Sequence, residues 1–184
     1  MGLEIERKFL LKNSQILDFL KEAGLVFKHL EISQFYTKIM QNEEIRFRSE
    51  EDKFIKTVKV GKDLIREENE EFCEKAEFKK ALKNRIGHVI TKDRYIFRLN
   101  NNPCNIDVFK DGLNGLCTFE IEFADENEAV YFKLPAFLEQ FCKADVTCDK
   151  RYKNKFLAIH ANENEQIDYK RAYNVFKNKE ISPN

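Results

Sequence analysis

Six short segments of this chain alternate apolar and charged residues with period two: EIERKFLL from Glu4, EEIRFRS from Glu43, KFIKTVKV from Lys53, TKDRYIFRL from Thr91, CNIDVF from Cys104 and TFEIEF from Thr118. Residues two apart on a strand share a face, so each segment reads as a strand with one apolar and one polar side. Polar breaks separate several of them, at Glu50 to Lys53, at Asn100 to Pro103, and from Lys110-Asp111-Gly112 through Asn114-Gly115. Sequential strands joined by short turns imply antiparallel pairing, which favours an all-β barrel or an α+β fold over a doubly wound sheet.

Four stretches carry helical periodicity. In NSQILDFLKEAG, Asn13 or Ser14 can cap a helix that presents Ile16, Leu17 and Leu20 on one side and stops at Gly24. EKAEFKKALKNRIG predicts a second helix ending near Gly87, ENEAVYFKLPAFLEQFC a third restarted at Pro135, and YKNKFLAIH a fourth. The 184 residues suffice for one domain with a substantial core, expected over 1–160, with a polar tail over 161–184 that packs on it or frays.

The charges narrow the function. Charged residues make up 35% of the chain, yet Lys+Arg and Asp+Glu both count 32, which argues against a nucleic-acid or membrane binder driven by bulk charge. Five cysteines without a C-x-x-C pair argue against a disulfide framework or structural zinc, and read as buried free thiols in a reducing cytosol. No apolar run reaches membrane-spanning length and no signal-peptide pattern opens the chain, so a cytoplasmic protein is expected.

Across the strands, Ile5, Phe9, Ile45, Phe47, Tyr95, Phe97, Leu99, Ile106, Val108, Phe119, Ile121 and Phe123 fall on one face. The other carries Glu4, Glu6 and Lys8, then Arg46 and Arg48, Lys92 and Arg94, Asp107, and Glu120 and Glu122. A solvated face mixes signs so that opposite charges pair across strands. Here they are largely sorted strand by strand. Like charges roughly 6.5–7 Å apart repel unless a counter-ion lies between them. Carboxylate pairs suit a hard divalent cation, and Arg and Lys pairs suit phosphate oxygens. If the sheet closes with this face inside, a metal-bound chain of phosphates meets both demands. Alternation alone leaves Lys56 and Lys59 open as members of the face. No glycine-rich phosphate loop and no Ser-His-Asp or Cys-His order occurs, so side chains would hold the phosphate.

The ordered set of residues resembles the CYTH domain, the family of triphosphate tunnel metalloenzymes. EIERKF is similar to its E-x-E-x-K signature, ISQFYT to the segment bearing its tyrosine (Tyr36), and IRFR to its paired arginines. TVKVG resembles the segment supplying its lysine and selects Lys59; IREENEE resembles its acidic stretch, with Arg66, Glu68 and Glu70. TKDRY, NIDVF and FEIEF match its K-x-R-Y element and later acidic strands, and VTCDKRYKNKFLA its closing motif, through Asp149, Arg151, Tyr152 and Asn154. Lys150 and Lys155 depart from it, standing where a proline and a small polar residue are common.

The resemblance implies an α+β fold, an eight-stranded antiparallel β-barrel with a charged interior and flanking helices, and a small-molecule triphosphate bound with Mg²⁺ or Mn²⁺. It implies phosphate contacts from Lys8, Arg46, Arg48, Lys59, Lys92, Arg94, Arg66 and Arg151. Metal ligands would be Glu4, Glu6, Asp107, Glu120 and Glu122, with Glu68 and Glu70 as further candidates. Lys8 and Tyr36 would orient or activate the attacking water, with Lys8 kept charged by the carboxylates beside it. The expected activity is hydrolysis of inorganic triphosphate to pyrophosphate and phosphate. Alternatives within the family are a class IV-type adenylyl cyclase and a thiamine or nucleoside triphosphatase; outside catalysis, a polyphosphate-binding module. No nucleic-acid or membrane partner is expected, and the chain would be a monomer or homodimer.

Overall fold

A computed structural model describes residues 5–62 and 65–161, the side chains of Lys62, Ile65 and Arg66 excepted. In chain order it runs β1 (Ile5–Leu11), α1 (Gln15–Glu22), β2 (Lys28–Ile39), β3 (Glu43–Glu50), β4 (Lys53–Lys62), β5 (Ile65–Phe72), α2 (Lys75–Lys83), β6 (Ile86–Leu99), β7 (Asn102–Phe109) and β8 (Cys117–Phe123). It continues through α3 (Glu126–Tyr131), α4 (Ala136–Glu139), β9 (Cys142–Asp145) and α5 (Asn154–His160). All nine strands form one antiparallel sheet in the order β5-β4-β3-β2-β6-β7-β8-β1-β9.

The expected eight-stranded closed barrel is therefore corrected. The sheet has nine strands and is open: among the described residues its end strands, β5 and β9, each pair on one side only. Two features account for this. The extra strand is the four-residue β9, which adds to the free edge of β1, with Phe9 opposite Asp145 and Leu10 opposite Ala144. In addition, α5 packs on the charged face, where Tyr152, Leu157 and Ala158 form a buried cluster with Leu10, Tyr36, Ile90, Phe109 and Leu116. A helix about 10 Å across needs more room than the side-chain-filled interior of a small closed barrel provides.

The apolar face is covered as its pattern requires. Ile16, Leu17 and Leu20 of α1 join Phe9, Phe97, Ile106, Phe119, Ile121 and Phe123 in one cluster, completed by Ala129 and Leu138 of α3 and α4. Phe78 of α2 makes the second, with Phe35 and Phe47, whose rings stack 5.6 Å apart. Asp125 caps α3 by accepting from the Glu128 N–H at 3.0 Å.

The second helix stops at Lys83, earlier than the Gly87 expected from sequence. Gly87 instead lies in β6 at φ +69°, where an added Cβ would stand 2.2 Å from the Ala158 carbonyl oxygen. Its lack of a side chain lets α5 approach the sheet. All five cysteines are free; Cys104 and Cys117 are buried, whereas Cys148 is exposed, contrary to the expectation of uniformly buried thiols. Among the described residues no helix is long and apolar enough to cross a membrane. The expected tail lies outside the described residues from 162 onward.

Candidate active site

Strand register decides which charges meet. Lys8 on β1 faces Glu120 on β8, Arg94 on β6 faces Asp107 on β7, and Lys92 sits one strand period from Arg94. The side chains join into one buried network. Lys8 Nζ lies 2.7 Å from Glu120 Oε1, and Arg94 Nη2 donates to Glu120 Oε2 at 3.0 Å. Arg94 also grips Asp107 through Nε and Nη2, at 2.6 and 2.7 Å, and Lys92 Nζ donates to Asp107 Oδ2 at 2.6 Å.

A second cluster occupies β3, β4 and β5. Register places Thr57 opposite Arg46 and Glu70 opposite Thr57, which puts Lys59 on the charged face beside Glu68. Lys59 Nζ is 2.6 Å from Glu68 Oε2, Arg46 Nη2 donates to Glu70 Oε1 at 3.1 Å, and Arg48 Nη2 is 3.8 Å from the same oxygen. Lys56 points the other way, donating to Glu71 at 2.9 Å. The choice that alternation left open is thus Lys59.

Tyr36, on β2, stands opposite Arg46 and is buried against α5. Arg151 lies off the sheet, in the 3-10 turn Lys150–Tyr152, where its Nε donates to both oxygens of Asp149 at 2.8 and 2.9 Å. Glu4 and the side chain of Arg66 lie outside the described residues.

Burial and pairing tune the ionisation. Burial works against the Lys8 ammonium, but the Glu120 carboxylate, aided by Asp107 and Glu6, more than offsets it and holds the pKa above the ordinary lysine value. Lys92 goes the other way: burial, joined by the Arg94 charge, outweighs Asp107 and brings it down to about 8. Burial drives the Tyr36 phenol well above its usual range, against the opposing pull of Arg46. Asp107 and Glu120 are held below the usual carboxylate range: burial opposes this, but the Arg94 and Lys92 charges prevail at Asp107, and those of Lys8 and Arg94 at Glu120.

The donor set fits a hard divalent cation in kind. Glu6 faces Glu122 directly across the β1–β8 pair, a like-charge juxtaposition that a cation relieves, next to the buried Asp107 and Glu120. As they stand, no three such ligands among the described residues converge tightly enough to hold an ion. Asp107 and Glu120 serve instead as counter-ions to Lys8, Lys92 and Arg94.

Three polar side chains of this face were not among the expected site residues. Thr57 donates to Glu70 Oε1 at 2.8 Å, and Gln34 is buried beside Arg48. Glu44 receives Lys155 Nζ at 2.9 Å, which ties α5 to β3. Period two counted back from Tyr36 would have placed Gln34 on the face, but no local signal pairs Lys155 with Glu44.

A sheet with a cationic and acidic face, built in this strand order, defines the class, and comparison with known proteins agrees. The chain belongs to the CYTH domain family, whose sequence pattern matches residues 2–145. It is similar to an inorganic triphosphatase of Nitrosomonas europaea, 32% identical over 117 residues, which span 63% of this chain and 75% of that protein. A crystal structure of an inorganic triphosphatase aligns with a TM-score of 0.63 at 28% identity, covering 86% of this chain and 96% of that one. A Hippeastrum protein whose structure reveals a dominant triphosphatase activity shares the fold at a TM-score of 0.56 and 14% identity, over 70% and 83% of the two chains.

Proposed function

We propose that this protein hydrolyses a triphosphate, with inorganic triphosphate as substrate and pyrophosphate and phosphate as products, in a divalent-metal-dependent reaction. The observation that carries the reading is the Lys8–Glu120–Arg94–Asp107–Lys92 network, in which two buried lysines, the half-buried Arg94 and two buried carboxylates share one face of the sheet. The likeness to an inorganic triphosphatase supports the choice of substrate.

Phosphoryl transfer needs charge neutralisation and in-line positioning more than it needs a covalent residue. Arg46, Arg48 and Lys59 on one side of β2, and Lys8, Lys92 and Arg94 on the other, would hold phosphate oxygens. Their present carboxylate partners keep these cations oriented until substrate replaces part of that pairing. Glu6, Asp107, Glu120 and Glu122 would hold Mg²⁺ or Mn²⁺, with Glu4, Glu68 and Glu70 as further ligands. When bound, the metal would neutralise phosphate charge and polarise phosphoryl oxygens as a Lewis acid. Lys8, kept charged by Glu120, would act as an electrostatic contact instead of a base, and Tyr36, kept protonated, would donate a hydrogen bond that orients water. Arg151 would contribute from the rim after exchanging Asp149 for phosphate.

The test is phosphate release from inorganic triphosphate, thiamine triphosphate, ATP and pyrophosphate, each with Mg²⁺, Mn²⁺ and excess chelator. Turnover of inorganic triphosphate that chelator abolishes is expected. Cyclic AMP formed from ATP would indicate a cyclase, and binding without release a polyphosphate-binding module.

A further inference from the structure

We propose that the side-chain amide of Gln34 is a phosphate-binding donor, forming with Arg46 and Arg48 a three-donor oxyanion subsite on the β2–β3 pair. The inference rests on the triphosphate reading above and assigns a role to a neutral residue within it. Gln34 is 1% exposed, in the middle of β2, with Arg48 directly opposite on β3 and Ile90 opposite on β6. Its place in the register puts it on the same face as Tyr36, whose own β3 partner is Arg46.

Three buried donors in this patch lack a hydrogen-bond acceptor among the described residues: Gln34 Nε2, Arg46 Nε and Arg48 Nε. Arg48 Nε is 3.4 Å from Glu50 Oε2, but without hydrogen-bond alignment. The carboxylates that neutralise the two guanidiniums engage Arg46 through Nη2, so its Nε remains to be satisfied. Leaving a buried donor without an acceptor is costly, and three side by side call for a shared cause.

Their chemistry identifies it. All three atoms are donors, so the partner is an acceptor. Arg48 stands opposite the amide and Arg46 one strand period along, so the acceptor these donors call for is an anion. A phosphate oxygen meets both conditions. Gln34 stands one strand period, roughly 7 Å, from Tyr36, which makes it a binding contact instead of a participant in the bond-breaking step.

The experiment uses the full chain, its Gln34→Leu and Gln34→Glu variants, and two readouts. Steady-state kinetics with inorganic triphosphate and saturating Mg²⁺ should give the leucine variant a KM raised roughly ten- to hundredfold, the range for losing a hydrogen bond to a charged group, with kcat within about threefold. Gln34→Glu should raise KM further, because its carboxylate pairs with Arg48. Melting with and without inorganic phosphate is the second readout. Gln34→Leu should melt no lower than the wild type without anion, since it removes an orphaned donor, and its phosphate-induced rise should shrink.

A KM and a phosphate-induced rise both matching the wild type would overturn the inference, as would a leucine variant that fails to fold. If the wild type does not hydrolyse triphosphate, the functional reading fails separately. The melting comparison needs no turnover and still decides whether Gln34 contacts an oxyanion.

Discussion

Asp107 shows how much one side chain can hold in place. Fully buried, it accepts from Lys92 and twice from Arg94, so one carboxylate supplies counter-charge to two cations at once. Asp107→Asn removes the compensating charge and is expected to cost about 3–5 kcal/mol in urea unfolding with chelator present. A loss below about 1 kcal/mol would mean that the network relaxes or hydrates freely. Lys8→Met removes a cation without stranding Glu120, which keeps Arg94. Its expected effect is a fall in kcat of about 10²-fold or more, the order seen when one transition-state charge partner is lost. Tyr36 is held protonated by burial, so Tyr36→Phe should lower kcat without moving the alkaline limb of the pH profile. A limb that vanishes in this variant would make the phenol the titrating group.

At the scale of elements, the edges of the sheet are held by specific clasps. Arg7 on β1 pairs with Asp145 at the end of β9 and donates to the Phe132 carbonyl at 2.8 Å, while the Thr147 N–H donates to Asp145 at 2.9 Å. Partial burial would raise the Asp145 pKa, but its hydrogen bonds from Thr147 and Arg7 dominate and leave it below the ordinary 3.8. A depressed carboxylate stabilises fully above its unfolded pKa and loses that contribution as pH falls through the folded value. The melting difference between wild type and Asp145→Asn should therefore be greatest near pH 7 and shrink below pH about 4. Gly87→Ala tests the other clasp: a Cβ at positive φ facing the Ala158 carbonyl should cost roughly 2 kcal/mol or more and loosen α5.

The same elements separate what sequence patterns reveal from what they hide. β1, β3, β4, β6, β7 and β8 alternate because one face meets helices and the other the charged site. β2 does not alternate in its middle, since Gln34, Phe35 and Tyr36 are all buried, between α2 on one side and the site on the other. β5 shows no apolar side because its exposed Glu67 to Glu71 stretch lies on the edge, and four-residue β9 is too short to carry a period. Which strand residues share the charged face was legible; how they pair was not, because Lys8 meets Glu120 only through a register between distant strands.

Over the whole molecule, the open edge and the helix on the charged face have a joint consequence. α5 closes one end of that face with an apolar cluster and the Lys155–Glu44 pair, leaving the charges to be reached from elsewhere. Occupation by an anion should then stabilise the entire sheet, because the two ionic clusters lie on either side of central β2. A tight ligand at a hundred times its Kd adds about 2.7 kcal/mol, which for a domain of this size is a rise in Tm of roughly 5–10 °C. The reaction itself is read most directly by ³¹P NMR of inorganic triphosphate incubated with the protein and Mg²⁺. Pyrophosphate and phosphate appearing in equal amounts, and neither appearing in excess chelator, is the expected result. Intact triphosphate after prolonged incubation, or cleavage that continues in chelator, would contradict a metal-dependent triphosphatase.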